Sequence, residues 1–183
     1  MEPIIRLANE EDWDNIAQLI HNTYALELGQ YAPADSGRIV DRNHDTNLYI
    51  VAYMQDELAG MLSMTLPSTA SFSTLNRLPV VSEDIQQNLS KTAEIRLLAI
   101  KPSYRRQGVF NQLMKAAIIS CYQREIERVL ISAIDNRVGL YEFMGFQAIG
   151  DPVPEGTAVY VPMLITRQSL ERSPYMEKMM AVA

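Results

Sequence analysis

The sequence offers little to metals, disulfides or membranes. A single cysteine in 183 residues excludes an internal disulfide. Two histidines, His21 and His44, without cysteine partners argue against a structural metal site, so none is expected. There is no signal peptide and no run of about 18 apolar residues, which predicts a soluble, cytoplasmic protein with no membrane partner. Cations are the scarcer charge, with 16 Lys and Arg against 22 Asp and Glu and a net charge of −6. Nucleic-acid binding needs clustered Lys and Arg on one face, so that class is excluded. A small amine, a basic peptide end or a neutral amino compound suits the charge better. Internal repeats and low-complexity segments are also missing.

What is present is a chain rich enough in apolar residues, at 48%, for one well-cored domain. Its centre lies between Glu94 and Gln123. Ile95 to Ile100 is short, apolar on both faces and closed by Pro102, the pattern of a strand buried inside a sheet. Phe110, Leu113, Met114, Ala117, Ile118 and Cys121 then recur with the period of a helix laid on that sheet. Between strand and helix sits Arg105-Arg106-Gln107-Gly108-Val109. A turn at a helix start presents unpaired N–H groups and the positive end of the dipole, so it is a ready anion site.

Along the chain, Pro3 to Ala8 reads as a strand and Asn9 as the cap of a helix carrying Trp13, Ile16, Ala17, Ile20 and Tyr24 on one face. Asn47–Met54 and Leu58–Leu66 read as a hairpin with a three- or four-residue turn, and Gly60 as a bulge or close backbone approach. The long connection Pro67–Thr92 contains one short helix around Ser82 to Leu89. Arg128–Ile134 is a strand, Val138–Met144 a helix with Gly145 as its left-handed cap, and Phe146–Ile149 and Ala158–Ile165 complete the sheet. Pro162 predicts an edge or a bulge in the last strand. A tail with Pro174, Met176, Met179 and Met180 follows Thr166; it either docks on a partner subunit, giving a homodimer, or frays.

Arg105-x-x-Gly108-x-Phe110 after a buried strand, then Asn136 and Leu140-Tyr141-Glu142-Phe143-Met144-Gly145-Phe146, resembles the GNAT superfamily of N-acyltransferases. The resemblance runs from Ile4 to about Ile165. It implies an α/β fold: a mixed, mostly antiparallel central sheet with helices on both faces, filling residues 1–166 with residues 167–183 as the tail. It also implies an N-acyltransferase moving an acyl group from acetyl-CoA or another acyl-CoA to a small-molecule amine. The donor's pyrophosphate would be held by Arg105, Arg106, Gln107, Gly108, Val109 and Phe110, and its pantetheine by the main chain of Leu98, Ala99 and Ile100 with Asn136. A main-chain N–H near Leu98 would polarise the thioester carbonyl.

By the same resemblance, Glu94 is the candidate base and Tyr141 the candidate acid. Tyr31, in the irregular segment Tyr24–Asp45, is the candidate substrate contact. Each has a plainer alternative: Glu94 a strand-end glutamate paired with Arg96 or a lysine, Tyr141 a core ring, Asn136 a turn residue. Cys121, on the apolar stripe, and both histidines read as structural. Phe110 departs from the family's small residue. If its ring is buried, coenzyme A fits; if it fills the cradle, the donor is an acyl chain on a carrier protein's pantetheine, as in acyl-amino-acid and autoinducer synthases. A catalytically idle acyl-CoA-binding regulatory domain is the reading from a different class.

Overall fold

Asn9 organises the start of the helical chain. Its side chain accepts from the Glu11 N–H at 3.1 Å, and Asp12 accepts from the Asn9 N–H at 2.7 Å, so the first turn's free donors are met reciprocally. In this computed structural model, which describes residues 2–67 and 71–181, strand β1 (Ile4–Leu7) precedes that cap and helix α1 (Trp13–Ile20) follows it. The helix then widens into a π-helical segment, His21–Glu27. Asp12 is buried yet takes two bonds from Arg6, at 2.6 and 2.9 Å, and one from the Tyr53 hydroxyl at 2.7 Å.

One sheet receives every strand, in the order β1, β2 (Leu48–Met54), β3 (Glu57–Thr65), β4 (Thr92–Ile100), β5 (Arg128–Ile134), β8 (Ala158–Thr166) and β6 (Gln147–Ala148), with β7 (Val153–Glu155) also pairing β8. Among the described residues, β4 and β5 are the one parallel pair. This is the expected mixed, mostly antiparallel sheet. Helices cover both faces: α1 packs on Tyr49, Val51, Met61, Leu97 and Ala99, and α3 (Val109–Gln123) on Ile50, Ala52, Ala93, Ile95, Ile131 and Ala133. Helix α2 is Glu83–Gln87, capped by Ser82, and α4 is Val138–Phe143. No helix among the described residues is long and apolar enough to cross a membrane.

Three local expectations change. The β2–β3 turn has two residues, Gln55 and Asp56, at φ of 51° and 63°; the left-handed pair matches the strand twist without glycine. Pro162 sits in an interior strand, opposite Ser132 of β5. Its carbonyl accepts from the Ile149 N–H, so its own nitrogen faces the break between β6 and β7, where no ladder bond is lost. Beyond Thr166 the chain forms α5 (Arg167–Glu171) and α6 (Pro174–Ala181), which bring Leu170, Tyr175 and Met179 onto the core beside α3. The expected bulge and close approach at Gly60 both occur: the register shifts beside it, and a Cβ there would lie 3.0 Å from the Ala99 carbonyl.

Burial alone would raise the Asp12 carboxyl, but the bonds from Arg6, the Asn9 N–H and Tyr53 outweigh it and hold it at about 2. A depressed carboxyl stabilises the fold above its unfolded value, near 3.9, and loses that contribution as pH falls through the folded value. With Arg6 partly in solvent, the contribution is about 1–2 kcal/mol. Asp12→Asn should therefore lower the unfolding free energy by that amount at pH 7. The difference should close between about pH 4 and pH 2, as denaturant titrations across that range would record.

Candidate active site

The sheet is split at its centre. β4 and β5 pair only from Thr92 to Glu94 against Arg128 to Leu130, and no pairing continues beyond. On its other side β4 carries a bulge, Leu97 and Leu98 together facing Leu62, with Leu97 at φ 49°. A left-handed leucine costs about 1–2 kcal/mol, so the surroundings must hold it. The bulge also shifts the alternation of faces. Ala93 and Ile95 face α3, whereas after it Leu97 and Ala99 face α1. Arg96 and Leu97 therefore both look into the α1 side. The Tyr24 hydroxyl, delivered by the π-helical turn, donates to the Leu98 carbonyl at 3.0 Å and fixes the bulge from that side.

A cleft of about 310 Å³ opens there, lined by Tyr24, Tyr31, Asp41, Ser73, Arg77, Glu94, Arg96, Leu97, Ser132, Glu155 and Tyr160, among others. Glu94 forms its floor and is 1% exposed. Its carboxylate accepts from the Ser73 N–H at 2.8 Å, the Ser73 hydroxyl at 2.7 Å, and the Thr74 N–H and hydroxyl, both at 2.6 Å. Four donors are what a buried carboxylate without a direct ion pair needs. Arg96 is nearly as buried, and its Nη1 lies 3.1 Å from Asp41 Oδ1. That atom is close enough for attraction but misaligned for a hydrogen bond, so its proton has no acceptor. Tyr31 lines the cleft with its ring 6.0 Å from that of Tyr24, and burial raises its phenol.

The rim is tied by polar bonds. Glu155 pairs with Arg77 and accepts from Gln30 Nε2 at 3.0 Å, while the Tyr160 hydroxyl donates to Gln30 Oε1 at 2.7 Å.

On the α3 side, Gly108 caps the helix at φ 82°, and a Cβ there would meet nothing within 4 Å. The first N–H groups of α3 have no partner within the helix and front that open space. Val109 is buried, Gln107 Nε2 donates to the Ser103 carbonyl at 2.7 Å, and Arg106 is exposed at φ 65°. Arg105 is engaged, by Glu27 and by the Ile100 carbonyl at 3.1 Å. The Phe110 ring lies away from the turn, packed on the core 6.5 Å from the Tyr141 ring. Tyr141 meets Phe146 on its other side, and burial pushes its phenol up to about 12, with Arg137 pulling weakly the other way. Asn136 is exposed at the entry to α4.

A second, apolar slot of about 40 Å³ lies between α3, α5 and the sheet, lined by Met114, Ala117, Ile118, Cys121, Met144, Phe146 and Leu170, among others. Ile95 lines both this slot and the cleft. Burial pushes the Cys121 thiol up to about 11, so it is protonated near neutrality. Among the described residues no group of three His, Cys, Asp or Glu is placed to hold a metal.

Ser73, Thr74, Arg77 and Ser132 at the cleft are what sequence reading did not single out, and Arg96, read as a partner for Glu94, pairs with Asp41 instead. The only local signal is Ser73-Thr74 in a long connection; residues 68–70 of that connection lie outside the described residues.

A family model described as "N-acyl amino acid synthase FeeM" matches residues 15–167. Similar solved structures include FeeM, an N-acyl amino acid synthase from uncultured soil microbes, at 14% identity, covering 97% of each chain with a TM-score of 0.75. BjaI, a CoA-dependent acyl-homoserine lactone synthase, is 18% identical, covering 92% of this chain and 86% of its own, with a TM-score of 0.71. An N-acetyltransferase from Lactobacillus plantarum, described as such only provisionally, is 18% identical, covering 91% and 99%, with a TM-score of 0.65. These likenesses show a GNAT-like fold. No curated protein matches the chain.

Removing the Glu94 carboxylate would strand four donors in the floor of the cleft. Glu94→Ala should destabilise the protein by at least about 3 kcal/mol. Limited proteolysis should show the 71–78 segment becoming the first site of cleavage.

Proposed function

This chain belongs to the N-acyl amino acid synthase FeeM family, and from that premise we propose that it transfers an acyl group from a thioester to the amine of an amino acid. The observation that carries the acceptor is Arg96, a largely buried cation in the cleft wall whose Nη1 is drawn to Asp41 at 3.1 Å without making an aligned hydrogen bond. A carboxylate entering beside it would supply one, and Arg77 adds a second cation. Such an arrangement seats the acceptor's carboxylate on the α1 side and leaves its amine toward the split between β4 and β5.

Coenzyme A is the donor this geometry favours. The Phe110 ring is turned inward and the space over Gly108 is open, so the helix start remains free for a pyrophosphate. The main chain of Leu98, Ala99 and Ile100 would carry the pantetheine, with Asn136 at the mouth of the groove. An acyl chain passing Tyr141 and Phe146 reaches the apolar slot, whose Ile95 wall is shared with the cleft. Arg105 would exchange Glu27 for the donor's phosphate, a partner of higher charge.

Tyr141 is the acid for the leaving thiolate. Its phenol is fully protonated near neutrality, as an acid must be. The apolar surroundings that raise it raise the departing thiol as well, so the transfer is less steep than solution values, near 10 and 8.5, would make it against a phenol at about 12.

Thiol release and product mass from acetyl-CoA, decanoyl-CoA and a decanoyl carrier protein, over a panel of amines and amino acids, tests the assignment. Amide formation on amino acids with a CoA donor is expected. Turnover with the carrier protein alone would overturn the donor, and turnover with simple amines alone the acceptor. Arg96→Gln should raise the acceptor KM about 10- to 100-fold and erase the parent's preference for an amino acid over its carboxamide. Donor KM should hold.

Tyr141→Phe should lower kcat about 100-fold without weakening acyl-CoA binding measured by calorimetry. Unchanged turnover would remove Tyr141 as the acid.

A further inference from the structure

Beside the cleft, three hydroxyl and carboxyl groups form a hydrogen-bonded line whose direction is forced. Glu94 and Ser132 share a face of the sheet: Glu94 is level with Leu130 across the parallel pair, and Ser132 lies two residues beyond, past the last paired position. Thr74, fully buried, bridges them. Its Oγ1 lies 2.6 Å from Glu94 Oε1 and 3.0 Å from Ser132 Oγ. An ionised carboxylate only accepts, so the single Thr74 proton is spent on Glu94. Ser132 must then donate its own proton to Thr74. Arg77 Nη1, 3.3 Å away, can only donate to Ser132 Oγ. That oxygen therefore keeps one lone pair on a side chain that lines the cleft and is only half-buried. Whatever binds there must bring a proton.

From this geometry we infer that Ser132 takes the proton of the attacking amine and relays it through Thr74 to Glu94. The inference rests on the acyltransfer reading above and names the route its proton takes. Glu94 is 1% exposed and both its oxygens already accept bonds from the Ser73–Thr74 turn, so the half-buried Ser132 is the end of the line more open to the amine. The neutral amine's lone pair forms the C–N bond while the carbonyl π pair moves to oxygen. The N–H proton passes to Ser132 Oγ as Ser132 passes its own to Thr74 Oγ1 and Thr74 its own to the Glu94 carboxylate. The oxyanion's pair re-forms C=O as the C–S bond breaks, and the thiolate takes the Tyr141 proton. After the products leave, the Glu94 proton returns to water by the reverse path and Tyr141 recovers one from water. The balance is thioester plus amine to amide plus thiol.

The test uses the full chain with decanoyl-CoA and the twenty amino acids, reading amide by mass, decanoyl-CoA binding by calorimetry, and rate in mixtures of light and heavy water. Ser132→Ala and Thr74→Val should each lower kcat about 100-fold, with the donor affinity and the acceptor KM within twofold of the parent. Thr74→Ser, which keeps the hydroxyl, should recover most of the rate lost in Thr74→Val. The dependence of parent rate on heavy-water fraction should be bowed, as several protons move together, and become linear in Ser132→Ala. A purely structural hydroxyl would not change that curve. An active parent whose Ser132→Ala form keeps the parent rate and curvature overturns the relay alone. A parent that binds decanoyl-CoA and acylates no amino acid overturns the relay together with the acceptor it serves.

Discussion

Four hydrogen bonds onto one buried carboxylate set the shape of the cleft. Glu94 is held by both the backbone and the hydroxyls of Ser73 and Thr74, residues otherwise in irregular chain. Packing contributes little to that segment, where Phe72 alone adds a buried apolar side chain near the turn. Each bond to an ionised group is worth about 1.5–3 kcal/mol, comparable to fully burying one large apolar side chain, and four of them converge here. Fixing the turn at Glu94 places Arg77, one helical turn on, over the Tyr160 ring and against Glu155. The roof of the cleft is thus hung from its floor.

The sheet parts immediately beside that carboxylate. Past Glu94 and Leu130 the β4–β5 ladder has ended, so on that side the Ser132 backbone has no paired strand and its side chain lines the cleft. The bulge at Leu97 reinforces the separation and turns two successive side chains, Arg96 and Leu97, to the α1 side. The parted ladder supplies the opening, and Arg96, two residues after Glu94 on the same face, supplies the cation at its edge. The strain of a left-handed leucine is offset by the Tyr24 bond and by the burial of Leu97 itself, at 7% exposure.

The parts legible in the sequence were those written in local patterns. The stripe from Phe110 to Cys121 is the buried face of α3, Gly108 and Gly145 are left-handed helix ends, and Asn9 is a cap. Gln55-Asp56 misled because two-residue turns are usually announced by glycine or asparagine, and here aspartate and glutamine accept the strained backbone. Pro162 misled because a proline's cost depends on where its nitrogen points, and a break in the neighbouring strand is invisible to composition. The acceptor cleft was the least legible. Its bonds join residues far apart in the chain, Gln30 with Glu155, Tyr24 with Leu98 and Thr74 with Ser132. Serine and threonine in a long loop carry no periodicity, so nothing local marks them as partners of a glutamate in the central strand.

The two sides of the site also share a mechanical element, the π-helical turn His21–Glu27. Its Tyr24 holds the bulged strand, its last residue Glu27 pairs with Arg105 in the turn before α3, and the chain just after it crosses to the β7–β8 turn, where Thr157 donates to the Leu28 carbonyl at 3.0 Å. These ties are unequal. Arg105 and Glu27 are both about 40% exposed, so their pair is worth at most about 1 kcal/mol and yields readily to a competing anion. The Tyr24 bond is buried, and burial holds its phenol protonated and donating. An anion can therefore displace Glu27 from Arg105 without loosening the bond that holds the bulged strand. The weak contact lies on the exposed turn before α3, and the strong one on the bulge at the centre of the sheet.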